Sequence, residues 1–178
     1  MCAVFRRSRF LAQLIFATTL AAPAGAQMNV SASLTATAEV IAPLAITVTH
    51  GLDFGKMLVS TTKTITPKDG TGGHFELSGQ GGSTITVNLL MPSDLKPATG
   101  ANMPITGWNY IASESSLLTG TAVTFAANTN APFTATFQSG TGSTKMYFGV
   151  GATVQASASQ SLGVYTGTGQ ITAAYADL

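Results

Sequence analysis

Charged side chains are scarce in this sequence, and their scarcity excludes two classes of protein. Only 8% of the 178 residues are Asp, Glu, Lys or Arg, and the formal net charge is +1, whereas a typical soluble domain has about 25% charged residues. A disordered chain combines high charge with low hydrophobicity, but 45% of these residues are apolar. A nucleic-acid-binding protein needs a basic surface, which so balanced a set of charges does not form. We therefore expect a folded domain with no nucleic-acid partner.

Cysteine is nearly absent as well, because Cys2 is the only one in the chain. It lies in an N-terminal stretch that has the three parts of a secretory signal peptide. These parts are the positive residues Arg6, Arg7 and Arg9, the apolar run from Phe10 to Ala22, and the small-residue cleavage site Ala24-Gly25-Ala26. The apolar run of about 13 residues is shorter than the roughly 20 that a membrane-spanning helix needs. We predict that residues 1–26 are a cleaved signal peptide and that no membrane span follows it.

Cleavage at this site changes the composition of the chain. Removal of 26 of the 178 residues would leave 152. We predict that these residues, 27–178, form a single exported domain. Five lysines and seven acidic residues remain, hence a net charge of −2, and no cysteine is left. A disulfide framework, thiol catalysis and zinc–cysteine sites are thereby excluded. The predicted location is the periplasm, the cell surface or the extracellular space.

Apolar and polar residues alternate strictly at the start of the exported chain. The apolar positions are Met28, Val30, Ala32, Leu34, Ala36, Ala38 and Val40, and a polar residue lies between each neighbouring pair. Such alternation is typical of a strand with one buried face. Two interpretations remain open: the segment is the first strand of its own sandwich, or it is a donor strand that completes a neighbouring subunit. The three alanines are small for anchors that fill pockets, which weighs against the donor role.

Short strand-like segments continue along the chain, with turns rich in Gly, Pro and Asp between them. They cover residues 44–48, 61–66, 74–77, 83–90, 108–111, 122–125, 133–137, 145–154, 163–165 and 170–176, and a polar loop is predicted over 92–103. None of these segments has convincing helical periodicity. Many short strands at this spacing predict one all-β domain, a sandwich or barrel of about nine or ten strands.

Three blocks of sequence, in order, carry a resemblance to a known family. They are Ala36-Thr37-Ala38 through Pro43-Leu44 to Leu52-Asp53-Phe54-Gly55, then Phe75-Glu76-Leu77-Ser78-Gly79 with Thr84-Ile85-Thr86-Val87, then Val150-Gly151-Ala152-Thr153 with Gly163-Val164-Tyr165-Thr166-Gly167 and a last strand near Tyr175. Together they resemble an exported bacterial family known as domain of unknown function 4402. The resemblance implies an immunoglobulin-like antiparallel β-sandwich related to chaperone–usher pilins and spore-coat-type subunits. It implies no catalytic residues.

The end of the chain resembles a chaperone–usher pilin in one further respect. Such pilins commonly have a Gly and a Tyr twelve residues apart along the last strand, with the Tyr penultimate. Gly163 and Tyr175 have this separation, although Tyr175 is fourth from the end. The resemblance implies copies of the same chain, or a periplasmic chaperone and an usher, as partners.

Residues with catalytic or ligand-binding chemistry form no recognisable motif. The sequence has no nucleophile elbow, no zinc-protease helix motif and no phosphate-binding loop. His74 and Glu76, two residues apart, could share a strand face, and His50 and Asp53 are a possible second pair, but no spacing joins the two pairs into a metal site. Trp108 and Tyr110 are two residues apart, so they would lie on the same face of a strand and could present a sugar-stacking surface, although aromatic residues in strands more often pack in a core. We predict a protein that is not an enzyme and has no cofactor and no metal.

These observations favour a non-enzymatic exported protein with a structural or adhesive role. The expected function is that of a pilin-like subunit of a bacterial surface fibre or coat, assembled by pairing of β-strands. The alternative is a monomeric periplasmic or secreted module that binds carbohydrate or another ligand through Trp108 and the neighbouring loops.

Overall fold

A computed structural model describes residues 30–140 and 142–176. The chain divides into two units, Met1–Ala38 and Glu39–Leu178, and all the strands lie in the second. They are β1 (Ala45–His50), β2 (Thr62–Ile65), β3 (Gly73–Gln80), β4 (Thr84–Leu90), β5 (Asp94–Pro97), β6 (Met103–Ser113), β7 (Val123–Thr124), β8 (Ala131–Thr136), β9 (Ser143–Gln155), β10 (Tyr165–Thr166) and β11 (Gln170–Tyr175). The described residues contain no helix. The all-β prediction is therefore confirmed.

The strands form two antiparallel sheets in a sandwich-like arrangement. The larger sheet has eight strands in the order β1-β3-β9-β6-β5-β10, with β2 paired to β9 and β7 paired to β6. The smaller sheet has three strands in the order β11-β4-β8. The long strand β9 organises the larger sheet, because one of its edges pairs first with β3 and then with β2 while its other edge pairs with β6.

Two glycines of β9 let another part of the chain approach this strand closely. A Cβ atom at Gly149 would clash with the carbonyl oxygen of Pro67, and one at Gly151 would clash with that of Ile65. Since real Cβ atoms do not come this near to another atom, only glycine allows residues 65–67 to lie against β9. The glycines therefore position β2 and the loop after it.

The core lies between the two sheets and is built from the inward faces of alternating strands. On β3 and β4, every second residue is buried, as expected for strands that cover a core on one face. An aromatic row crosses this core: the rings of Phe75 and Phe148 stack at 4.8 Å between centroids, Phe148 and Phe133 lie 5.8 Å apart, and Phe133 stacks on Tyr110 at 4.2 Å. Aromatic pairs at these separations add to the stabilisation that burial provides.

The structure corrects the strand predictions at two places. The loop predicted over 92–103 contains β5, which pairs with the start of β6. More importantly, residues 30–44 form no strand, so the interpretation of this segment as the first strand of its own sandwich is wrong for the residues that the structure describes. The predicted signal peptide and Met28 lie outside the described residues. Within the described residues, no helix is long and apolar enough to cross a membrane.

A candidate strand-binding cleft

Several of the described strands, among them β2, β7, β8 and β10, pair on one side only, and so do β1 and β11, which border an apolar cleft. Among the described strands, β1 pairs only with β3 and β11 pairs only with β4. Each of these two strands therefore keeps a free edge, and the free edge of a strand presents unpaired backbone N–H and C=O groups. β1 belongs to the larger sheet and β11 to the smaller one, so the two free edges lie at the margins of different layers.

A large apolar cleft lies beside these two strands. Its volume is about 1060 Å³, and its lining includes Val48 of β1 and Ile171 of β11. The buried floor consists of core residues, among them Met91, Met103, Trp108 and Val154. One wall is the segment between β1 and β2, with Met57, Leu58 and Val59, and the other is the segment from Gln160 to Gly169. The cleft therefore opens onto the hydrophobic core of the domain.

Apolar side chains around the cleft are left uncovered. On β1, the side chain of Val48 is 64% exposed, and all six residues of the strand are exposed. In the two walls, Leu58 and Val164 are also exposed. Exposed apolar surface that is contiguous with a core marks a site where another element packs. The cleft has the character of a place in the sandwich that one more strand would occupy.

A buried glutamine fixes the second wall of the cleft. The side-chain amide of Gln160 donates hydrogen bonds to the carbonyl oxygen of Ala101 and to the hydroxyl of Tyr165, both at 2.8 Å. The Tyr165 hydroxyl donates in turn to the carbonyl oxygen of Ser161, also at 2.8 Å. Because a buried polar side chain with satisfied hydrogen bonds holds its neighbours in one arrangement, this wall is built in advance of any occupant.

The opposite side of the sandwich is closed by side chains and backbone. There Phe133 of β8 stacks on Tyr110 of β6. The segment before β8 adds two backbone hydrogen bonds, from Phe125 N–H to Trp108 O at 3.0 Å and from Asn128 N–H to Met91 O at 2.8 Å. On this side the described residues pack against one another, although β8 also keeps one edge without a strand partner, whereas the apolar cleft lies on the side of β1 and β11.

Tyr175, the last residue of β11, bridges this strand and the segment before β1. Its hydroxyl donates to the carbonyl oxygen of Ala42 at 2.7 Å and accepts from the backbone N–H of Gln80 at 2.7 Å. The side-chain oxygen of Gln80 accepts from the N–H of Ala42 at 3.1 Å. We call these three residues the tyrosine clamp. It joins the segment before β1 to the ends of β3 and β11, and the lining of the cleft does not include it.

The predicted donor residues from Val30 to Val40 are exposed, and Met28 lies outside the described residues. We call residues 28–40 the N-terminal arm. The exposed fractions of Val30, Leu34 and Val40 are 93%, 96% and 96%, and all described residues of the arm are exposed. The alternation therefore has no buried face to explain it within the described residues.

The structure brings together the two histidines that the sequence left separate, but not as a cluster of metal ligands. His50 and His74 are register partners on β1 and β3, with ring centroids 6.1 Å apart. Each ring donates to a backbone carbonyl, His50 Nδ1–H to Gly72 at 2.9 Å and His74 Nε2–H to Pro67 at 3.0 Å. Glu76 accepts a hydrogen bond from Lys145 at 2.9 Å, which raises the pKa of that lysine. No group of three or more potential ligands occurs in the described part of the chain.

Trp108 does not form the exposed aromatic surface that a sugar would need. It is only 4% exposed, and its indole N–H donates to the carbonyl oxygen of Pro92 at 3.0 Å. Tyr110 lies two residues further along the same strand, and its ring is stacked on that of Phe133. Trp108 is therefore a core residue and Tyr110 is partly buried against the core, as the packing interpretation expected.

Comparison of the chain with protein-family models and with curated proteins gives no match.

Proposed function

We propose that this protein is a structural subunit of a bacterial surface fibre or coat, and that the arm of one copy fills the cleft of the next. The observation that carries the proposal is the apolar cleft beside the free edges of β1 and β11. An inserted strand would satisfy backbone groups of a free edge and cover apolar surface at the same time. Strand addition of this kind takes its affinity from main-chain hydrogen bonds and its specificity from alternate side chains.

The chemistry of the arm supports its role as the occupant. Its apolar residues recur at every second position, so an extended arm would present all of them to the cleft floor. Its one charged residue, Glu39, belongs to the polar face. Leu34 is its largest branched side chain near the middle, and we assign it the role of the main anchor.

The resemblance to domain of unknown function 4402 and to chaperone–usher pilins supports the same function. In such systems, a periplasmic chaperone covers the incomplete sandwich before an usher assembles the subunits. The uncovered apolar side chains Val48, Leu58 and Val164 are a reason for this protein to need such a partner. The proposal includes export to the periplasm and the cell surface, and it includes no catalytic step.

A pair of neighbouring substitutions in the arm tests the proposal. Leu34→Asp places a carboxylate on the apolar face, and burial of an unpaired charge costs several kcal/mol, so assembly should stop at the monomer. Thr35→Asp places the same charge one residue further, on the polar face, and assembly should continue. Sedimentation and electron microscopy of the exported protein measure the result. The proposal fails if Leu34→Asp, or a chain without residues 27–40, still forms fibres.

A further inference from the structure

The arm is longer than the strand edge it would pair with, which raises the question of what fixes its register. At about 3.4 Å per residue, the 13 residues of the arm extend over about 44 Å and the six of β11 over about 20 Å. The arm could therefore slide along the edge. A slip of one residue would turn its apolar face outward, but a slip of two residues would keep that face on the cleft.

Side-chain fit alone distinguishes such two-residue slips poorly. Ala36 and Ala38 are identical, and Ala32 repeats the same side chain on the other side of Leu34. A two-residue slip changes the surroundings of Leu34 most and those of Val30 and Val40 to a smaller extent, while the central alanines exchange with one another. A further determinant would make the register unique.

We infer that the tyrosine clamp is this determinant, a stop that ends the inserted strand and sets its register. The inference rests on the proposed function. The clamp bridges the segment before β1 and the end of β11, the two strands with free edges beside the cleft, at a point beyond the residues that line the cleft. The N–H and C=O groups of Ala42 are both engaged, the first with Gln80 and the second with Tyr175, and the next residue, Pro43, has no N–H to offer. An inserted strand thus finds no free backbone partner at this point.

Tyr175 is a positioning residue in this inference, and its hydroxyl is the part that matters. The hydroxyl links two backbone groups from segments that are far apart in sequence, Gln80 and Ala42. Tyr175→Phe keeps the ring, which packs against the core, and removes both hydrogen bonds. In this variant the bridge between β11 and the segment before β1 is lost, and registers shifted by two residues become accessible.

Disulfide cross-linking of the full chain measures the register directly. In five double variants, Val48→Cys in the cleft is combined with a cysteine at one of the apolar positions Val30, Ala32, Leu34, Ala36 or Ala38. Positions on one face of a strand are about 6.8 Å apart, whereas the two Cβ atoms of a disulfide are about 3.5–4.5 Å apart. With Tyr175 present, one arm position should give a series of disulfide-linked multimers with a yield at least about threefold above the others.

The same five variants are then made with Tyr175→Phe and, as a matched control, with Tyr147→Phe on β9. We expect the preference for one position to be lost with Tyr175→Phe and kept with Tyr147→Phe. Gln80→Met removes the acceptor for the Ala42 N–H without changing Tyr175, and should broaden the pattern to a smaller extent. If Tyr175→Phe does not fold, the Gln80→Met variant alone tests whether the clamp sets the register.

The outcomes separate the inference from the proposed function. If both Tyr175→Phe and Gln80→Met still give multimers linked at one preferred position, the inference is overturned and the proposed function stands. The same conclusion follows if the chain with Tyr175 forms multimers without a preferred position. Absence of cross-linked multimers at all five positions overturns both. Loss of the preference with Tyr147→Phe also overturns the inference, because the effect is then not specific to the clamp.

Discussion

Gly79 shows how a single missing side chain shapes the inside of this domain. A Cβ atom at this position of β3 would lie 2.6 Å from the ring of Phe137 and 2.8 Å from the hydroxyl of Tyr175. Both neighbours are constrained, Phe137 because it is fully buried and Tyr175 because of its two hydrogen bonds. Glycine is therefore required for packing at this position, and no positive φ angle is involved.

Gly79→Ala should destabilise the fold by about 1–3 kcal/mol, the usual cost of an added methyl group in a packed core. Urea unfolding of the purified protein measures this change. Gly70→Ala is the matched control, because a Cβ atom there would have no neighbour within 4 Å, and it should leave the free energy of unfolding nearly unchanged. Equal stabilities of the two variants would show that Gly79 is not needed for packing.

The phenol of Tyr110 makes stability depend on alkaline pH. Burial raises the pKa of this group above its ordinary value, so the unfolded chain loses the proton at a lower pH than the folded one. The contribution to stability is complete below the unfolded pKa of about 10 and is lost as the pH rises through the folded pKa.

Tyr110→Phe should therefore reduce the loss of stability as the pH rises above about 10, where the phenol of the unfolded chain ionises. The urea midpoint at several pH values in this range measures the effect, with Tyr147→Phe as the comparison. If the wild type and Tyr110→Phe lose stability in parallel, the Tyr110 phenol is not the source of the pH dependence.

At the scale of the strand, β1 combines an exposed position with an apolar sequence. Val48→Asp should leave the fold nearly as stable as before, because the side chain is already 64% exposed. The same change should prevent strand insertion, because a carboxylate would then face the apolar cleft without a partner. Val123→Asp on β7 is the matched control, since Val123 is 50% exposed and does not line the cleft. Thermal unfolding and sedimentation together test the prediction; assembly by Val48→Asp would contradict it.

The elements themselves were largely predictable from the sequence, for a local reason. Alternation and turn residues are short-range signals, and they predicted β4, β9 and β11 to within a few residues. The arm shows the limit of such signals. Its alternation is the strictest in the chain, but alternation indicates only that one face is to be buried and does not indicate by which molecule. Pairing within the described residues was therefore the wrong interpretation.

The cleft could not be predicted from the sequence, because it is a property of the whole molecule. Its lining comes from segments far apart in the chain, from Val48 to Ile171, and no short-range pattern indicates which strand edges remain free. The resemblance to pilins implies partners for this chain, but it does not locate a cleft. In the sequence, Tyr175 is distinguished only by its distance from Gly163, whereas in the structure its hydroxyl forms hydrogen bonds with Ala42 and Gln80.

For the whole molecule, the proposal predicts that filling the cleft raises stability. A peptide with the sequence of residues 28–40 should increase the melting temperature of a chain without residues 27–40, and the increase should grow with peptide concentration. A ligand that binds only the folded state adds about 2.7 kcal/mol at a concentration of 100 times its Kd. This gain is large for a domain whose total stability is about 5–15 kcal/mol.

A second peptide of identical composition, but with the alternation scrambled, separates strand insertion from unspecific hydrophobic binding. It has the same apolar residues and the same charge, but cannot place them all on one face of a strand. Differential scanning calorimetry should therefore show a shift for the native peptide and little or none for the scrambled one. Equal shifts would mean that the cleft binds apolar peptides irrespective of pattern, and no shift with either would mean that the arm is not its occupant. A shift with the native peptide alone would make the cleft the site where this weakly charged, cysteine-free domain is completed by another chain.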